Sequence, residues 1–339
     1  MNRKLVVLLT VPLLALAACS STSSEESSTQ ESAVAESAPA SAAPSADAAA
    51  SASAAPEGTL TIGVAFPGDA PYLDGYKKGL EETAAARGVE LFILNAQWDA
   101  ATQDQQIQQL SSSGVDGMII WPVDSAAVCT AVDAVAGLGI PMVSSNSNVG
   151  DACADKVVAY TGPDNAAQGC ESAKLMGALA PDARVVIIEG VQGTDPAINR
   201  TAGFEECLPD GITILDKQPA DWDKAKATKV TADLLTRFGD EVTAVYAQDD
   251  TMAVGAAAAV QDAGLEGITI LGIGGSGAGL DAVKDGVLSG TIIQSPVSDG
   301  TFAVNAIVDS LEGAQVEARQ ILPMPTVSQE NVDTFTAEW

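Results

Sequence analysis

From Thr59 onward the chain alternates short apolar runs with longer segments whose apolar residues repeat every three or four positions. The first run, Thr61 to Ala65, predicts a strand, and the periodic segment from Pro71 to Arg87 predicts a helix that ends at Gly88. Later apolar runs predict strands at 91–94, 117–120, 140–143, 157–160, 185–188, 212–215, 244–246, 268–271 and 291–293. This alternation is typical of α/β proteins, and its restart at residue 157 predicts two similar doubly wound lobes with parallel sheets.

The first 57 residues have a different composition. Asn2-Arg3-Lys4 precedes a short apolar stretch that ends at Leu16-Ala17-Ala18-Cys19, a pattern that looks like a bacterial lipobox with Cys19 as the lipidated residue. Residues 1–19 are therefore predicted to be a lipoprotein signal peptide, with ordinary secretory cleavage as the alternative. Residues 20–57 lack Lys, Arg and aromatic residues, which predicts a disordered Ser/Ala-rich tether.

Composition excludes several classes of function. The formal net charge is −29 with 16 Lys and Arg residues, which opposes binding to nucleic-acid phosphates. The chain has no histidine, so the commonest general base and metal ligand are missing. We therefore expect a binding protein rather than an enzyme, with no cofactor and no metal.

Four cysteines remain once Cys19 is assigned to lipid. An even number in an exported protein suggests two disulfides, and we favour Cys129 with Cys153 because both are expected at the same end of the first lobe. Cys170 and Cys207 lie on consecutive predicted helices that are expected on opposite faces of the sheet, so their pairing is left open. Buried free thiols are the alternative.

Polar and aromatic side chains collect where the predicted strands end. Ligands of such sheets bind at the carboxyl ends of strands. Amides supply donors and acceptors together, and flat aromatic rings cover C–H faces, which suits a sugar or polyol. These positions include Asn95, Gln97, Trp98, Trp121, Asp124, Asn146, Gln192, Trp222, Gln248, Asp249 and Gln294.

Four segments resemble the ribose-type periplasmic binding proteins, the type I sugar-binding lipoproteins that serve ATP-driven importers. They are Gly190 to Thr194 followed by Arg200 to Phe204, then Gln218 to Asp223, and Ala247 to Ala253. The resemblance implies two lobes joined by a three-strand hinge. It gives an N-terminal lobe of residues 59–158 plus 295–320 and a C-terminal lobe of residues 159–294 plus 321–339.

The same resemblance implies roles for individual residues. Tyr72 and Trp222 stand where the family places aromatic residues, so they are expected to sandwich a ring. Gln294 matches the amide at a crossover, and Asp249 stands where the family usually has Asn. Trp121 and Asn146 complete the predicted ligand-binding set.

Departures from the family change the expected ligand. Asn146-Ser147 replaces an Asp-Arg pair, Ile198 falls where a ligand-binding Arg is expected, Gly274 replaces an Asp and Trp121 replaces an Asn. Because charged hydrogen bonds contribute about 1.5–3 kcal/mol each, their loss predicts a different preference from that for ribose. We favour a neutral sugar or polyol, with a cationic ligand facing Asp249 as the alternative.

Other signals receive structural interpretations. The segment 272–277 matches GxGxxG but lies far from the first βα turn, so dinucleotide binding is set aside. We expect Asp249 to face the ligand and Asp250 to cap the next helix. Arg200 is expected to form a structural ion pair that holds the helix of Phe204, with ligand binding as the alternative.

Together these features predict a monomeric protein outside the cytoplasm, held at the cell membrane by lipid, that delivers its ligand to an ABC permease and its ATPase. A sensory receptor that presents a sugar-like signal to a signalling partner is one alternative. A glycan-acting enzyme is the other.

Overall fold

The structure is a computed structural model that describes residues 58–339. The predicted signal peptide, Cys19 and the tether lie outside the described residues. Within the described range, no helix combines the length and the apolar character needed to cross a bilayer.

The described strands form two six-stranded sheets, one in each lobe. The first sheet contains β1 (Thr61–Phe66), β2 (Glu90–Asn95), β3 (Gly117–Ile120), β4 (Met142–Ser145), β5 (Ala159–Gly162) and β11 (Arg319–Ile321). The second contains β6 (Arg184–Glu189), β7 (Thr213–Pro219), β8 (Ala244–Ala247), β9 (Thr269–Gly274), β10 (Gly290–Ile293) and β12 (Thr326–Ser328).

The two sheets have matching strand orders. The first runs β11-β5-β4-β3-β1-β2 with parallel neighbours, and the second runs β12-β10-β9-β8-β6-β7 with only β12 antiparallel. Their buried strands are nearly continuous apolar runs because helices cover both faces. The predicted α/β class with two doubly wound lobes is confirmed.

Nine α-helices of the described chain cover these sheets. The first lobe carries α1 (Pro71–Arg87), α2 (Ala100–Ser112), α3 (Cys129–Gly137) and α9 (Pro296–Leu311). The second carries α4 (Asn165–Leu179), α5 (Asp195–Glu206), α6 (Lys224–Phe238), α7 (Asp250–Asp262) and α8 (Gly277–Lys284).

One predicted lobe boundary is wrong. The apolar run that begins at Val157 forms β5, which pairs with β4 and β11 in the first sheet. This run therefore completes the first lobe instead of starting the second, and the first crossover follows Gly162. The other two crossovers follow Ile293 and Ile321.

Helices α1 and α9 approach each other closely. A Cβ atom at Gly79 would lie 2.2 Å from the carbonyl oxygen of Val297, and one at Gly300 would lie 2.3 Å from that of Tyr76. Only glycine allows this contact. It brings the start of α1 beside the first turn of α9, where the chain has just returned from the second lobe.

Both disulfides are present. Cys129 and Cys153 are joined with their Cα atoms 5.4 Å apart, as favoured from the sequence. Cys170 and Cys207 are also joined, with a Cα separation of 5.0 Å. The expectation of opposite faces was wrong for this pair, because α4 enters from the first lobe and packs directly against α5.

Candidate functional site

A narrow cleft lies between the carboxyl ends of the two sheets, with about 50 Å³ of space for the centres of water-sized molecules. Both lobes line it. The structure brings together all six residues of the predicted set, which are Tyr72, Trp121, Asn146, Trp222, Asp249 and Gln294. That they contact a ligand remains a prediction.

Tyr72 lies in the first turn of α1 and is 8% exposed. Its ring meets Trp121 edge-on at 5.9 Å and Trp339 edge-on at 5.4 Å, between centroids. Its hydroxyl donates to Asp299 Oδ2 at 3.1 Å. The hydroxyl is therefore already engaged within the first lobe, and only the ring is left for the predicted sandwich with Trp222.

Asp299 is a buried carboxyl group that the sequence interpretation missed. It lies in the first turn of α9 and also accepts from Asn146 Nδ2 at 2.6 Å and from Ser145 Oγ at 3.4 Å. Burial raises the pKa of Asp299 to about 7, although these hydrogen bonds oppose the rise. Asn146 has a φ of 58°, which turns its amide back toward this carboxyl group.

The pKa of Asp299 predicts how stability depends on pH. Between about pH 4, the usual pKa of an aspartate, and pH 7, the folded state holds a proton that the unfolded state releases. The free energy of unfolding should fall as pH rises through this window, by at most about 1.4 kcal/mol per pH unit for one group. Denaturant unfolding from pH 4 to 8 should show a shallower slope for Asp299→Asn than for the wild type.

Asp151→Asn, at an exposed position of the same lobe, is the control and should keep the wild-type slope. Parallel curves for Asp299→Asn and the wild type would show that Asp299 does not titrate in this window.

Asp249 takes the capping role that the sequence analysis expected of Asp250. Asp249 caps α7 by accepting from the backbone N–H of Met252 at 2.7 Å, and it also lines the cleft. Asp250 is fully buried beneath it and accepts from Thr291 Oγ1 at 2.6 Å. The prediction that Asp250 is the cap was wrong. Burial raises the pKa of Asp249 to about 7, with Arg200 acting in the opposite direction.

Arg200 is 3% exposed and lines the cleft. Its guanidinium donates to Gln168 Oε1 at 3.0 Å, to the Gln248 carbonyl at 2.6 Å and to Gln294 Oε1 at 3.1 Å. Across residues 58–339 it pairs with no carboxylate, so the predicted ion pair was wrong. Neutral acceptors hold this cation in place. Its hydrogen bond to Gln294 in turn orients that side-chain amide at the crossover.

Two glycines make room for indole rings at the cleft. A Cβ atom at Gly190 would lie 1.9 Å from Trp222 Cη2, and one at Gly68 would lie 2.3 Å from Trp98 Nε1. Each ring therefore lies directly against backbone. Trp222 also has the Arg200 guanidinium 5.9 Å from its ring centroid.

Trp339 also lines the cleft, from the far end of the chain, and was not among the predicted site residues. It follows no predicted strand, so no local pattern marks it. Within the described part of the chain, no cluster of acidic or cysteine side chains is arranged to hold a metal ion.

Comparisons with known proteins agree with the two-lobed fold. The family model described as periplasmic binding protein domain matches residues 62–315. The ribose import binding protein of Bacillus subtilis is 32% identical over 260 residues, which cover 76% of this chain and 84% of that protein.

Two solved structures extend the comparison. An ABC transporter solute binding protein from Bacillus halodurans C-125 with bound myo-inositol has a TM-score of 0.78 and 28% identity. The match covers 83% of this chain and 99% of that chain. The fructose-binding periplasmic domain of a hybrid two-component system has a TM-score of 0.76 and 27% identity, covering 81% of this chain and 92% of its own.

Proposed function

Because the chain belongs to the periplasmic binding protein domain family, we propose that it captures a small neutral sugar or polyol outside the cytoplasm for an ABC importer. One observation carries this proposal. Polar and aromatic side chains from both lobes converge on a single cleft between them.

The chemistry of the cleft favours hydroxyl groups. Asp249 supplies acceptor oxygens and Arg200 supplies donors, so hydrogen-bonding groups of both kinds line the cleft. Trp98, Trp121 and Trp222 supply apolar faces that suit the C–H surface of a sugar. In the second carboxyl group, that of Asp299, Oδ2 already accepts from Tyr72 and Asn146, and Oδ1 accepts from Ser145. A neutral polyhydroxylated ligand satisfies this arrangement without an unpaired charge.

Capture works by a shift between open and closed arrangements of the lobes. A ligand that contacts Asn146 on one side and Trp222 or Asp249 on the other binds the closed arrangement better, and this differential affinity drives closure. The three crossovers are the places where the chain bends. The permease and its ATPase recognise the closed form.

We also propose that lipid on Cys19 holds the protein at the membrane, which the Leu16-Ala17-Ala18-Cys19 pattern supports. We expect the wild type to incorporate labelled fatty acid and to stay at the membrane. Cys19→Ala should incorporate no label and should be released from the membrane. Equal labelling of the two proteins contradicts it.

A thermal-shift screen tests the ligand class. The purified protein is heated with D-ribose, D-fructose, myo-inositol, xylitol and, as a cationic probe, an alkyl diamine. At 100 times its Kd a ligand stabilises the folded state by about 2.7 kcal/mol, so at least one neutral compound should raise the Tm by several degrees. A shift with the diamine alone overturns the proposal.

The alternative is presentation of the bound ligand to a signalling partner, which the similarity to a two-component periplasmic domain supports. Uptake of the labelled ligand separates the two functions. Deleting the gene for this protein should abolish uptake if it serves import and leave uptake intact if it serves sensing.

A further inference from the structure

Trp339 occupies a position between the lobes that no local sequence pattern predicts. Its ring meets Tyr72 of α1 edge-on, with centroids 5.4 Å apart. On the other side, its Cζ2 lies 2.7 Å from where a Cβ atom at Gly274 would stand. The indole therefore fills the space beyond the end of β9 that any larger side chain at residue 274 would need.

The segment that carries Trp339 is fixed at both the second lobe and the crossover. The carbonyl oxygen of Trp339 accepts from the backbone N–H of Gly277 at 2.7 Å. The neighbouring Glu338 accepts from Ser295 Oγ at 2.6 Å, immediately before α9. These contacts set the position of the ring, so its presence in the cleft follows from a defined main-chain path.

The indole N–H of Trp339 has no partner. Among residues 58–339, six buried side-chain polar atoms lack a hydrogen bond, and Trp339 Nε1 is the only one that belongs to a residue lining the cleft. A buried donor without an acceptor costs free energy. By contrast, Trp98 in the same cleft already donates its Nε1–H to the carbonyl oxygen of Asp69 at 3.1 Å.

We propose that Trp339 determines specificity by donating its Nε1–H to a hydroxyl or ring oxygen of the bound ligand. An indole N–H donates and never accepts. The ligand must therefore present an oxygen acceptor at this point, and an ammonium group there is rejected. This inference rests on the proposed capture of a sugar or polyol and names one of the groups by which such a ligand is recognised.

The test combines a variant with changes in the ligand. Trp339→Phe keeps an aromatic ring and removes the N–H together with part of the indole surface, a loss that the same change at Trp98 reproduces. Affinities of D-ribose, myo-inositol and their monodeoxy analogues are measured by isothermal titration calorimetry for the wild type and Trp339→Phe. The variant should bind the parent compound roughly tenfold more weakly.

The decisive result concerns the deoxy analogues. For the wild type, one analogue should bind roughly tenfold more weakly than its parent, and for Trp339→Phe the same analogue and its parent should differ less than twofold. Trp98→Phe is the matched control. Its N–H is already used within the protein, so it should keep the wild-type ranking of analogues even if its affinities fall.

The outcomes separate this inference from the proposed function. If the wild type binds a parent compound and Trp339→Phe preserves the full ranking of analogues, the donor role of Trp339 is wrong while the proposed function stands. If the wild type binds no sugar or polyol at all, the proposed function fails and this inference fails with it. The Tm of each ligand-free variant confirms that it is folded.

Discussion

Replacing Trp222 by Ala should weaken ligand binding by roughly 100-fold and leave the fold intact. The ring lies directly against the backbone of Gly190 at the mouth of the second lobe, and it is only partly buried without ligand. Covering about 100 Å² of ring and ligand surface contributes about 2.5 kcal/mol, which corresponds to nearly a hundredfold in Kd. Isothermal titration with the neutral ligand found in the screen measures the loss.

Two further variants sharpen this test. Trp222→Phe retains a flat ring and should lose much less affinity than Trp222→Ala. Gly190→Ala leaves the indole in the sequence, but its new Cβ atom would stand 1.9 Å from the ring and push it aside, so it should mimic Trp222→Ala. Wild-type affinity in Trp222→Ala would remove this residue from the site.

Replacing Arg200 by Met should weaken binding to a similar degree and also lower stability. The guanidinium lines the cleft, and its donors hold Gln168, Gln294 and the Gln248 carbonyl. Its removal leaves buried acceptors without partners, which costs about 1–3 kcal/mol of the free energy of unfolding. Titration calorimetry and denaturant unfolding measure the two effects separately.

Arg200→Lys restores the charge without the planar guanidinium group. It should recover part of the stability lost in Arg200→Met but little of the affinity, because one ammonium group cannot reach three acceptors and the ligand together. Equal affinity of Arg200→Lys and the wild type would show that the guanidinium geometry is unimportant for binding.

The alternation of apolar runs and periodic segments was sufficient to predict the fold class. Parallel strands buried on both faces leave a strong local signal, and β1 and β3 lie close to the predicted positions. The pattern did not show which sheet a strand joins. Val157 to Tyr160 looks like any other strand in sequence, and only its pairing with β4 assigns it to the first lobe.

The site was predictable where its residues follow strands. Trp121 and Asn146 stand immediately after β3 and β4, Asp249 stands two residues after the end of β8, and all three line the cleft. Asp299 and Trp339 escaped notice because neither follows a predicted strand. Asp299 reaches the site because α9 packs closely against α1. Trp339 reaches it because the last residues of the chain pass beside Gly277.

Adjacent acidic residues and a buried cation were the hardest features to interpret. Asp249 and Asp250 differ by one position, and sequence alone does not show which carboxylate turns back to the helix start. Arg200 was expected to need a carboxylate, but three neutral acceptors provide its hydrogen bonds. Such networks depend on side chains that are distant in sequence.

The two disulfides have a mechanical consequence. Cys129 and Cys153 are joined within the first lobe, and Cys170 and Cys207 within the second, so neither cross-link spans the gap between the lobes. The disulfides stiffen each lobe and leave the three crossovers between the lobes free to bend. In the proposed closure, binding free energy would then move two stiffened lobes together instead of deforming either one.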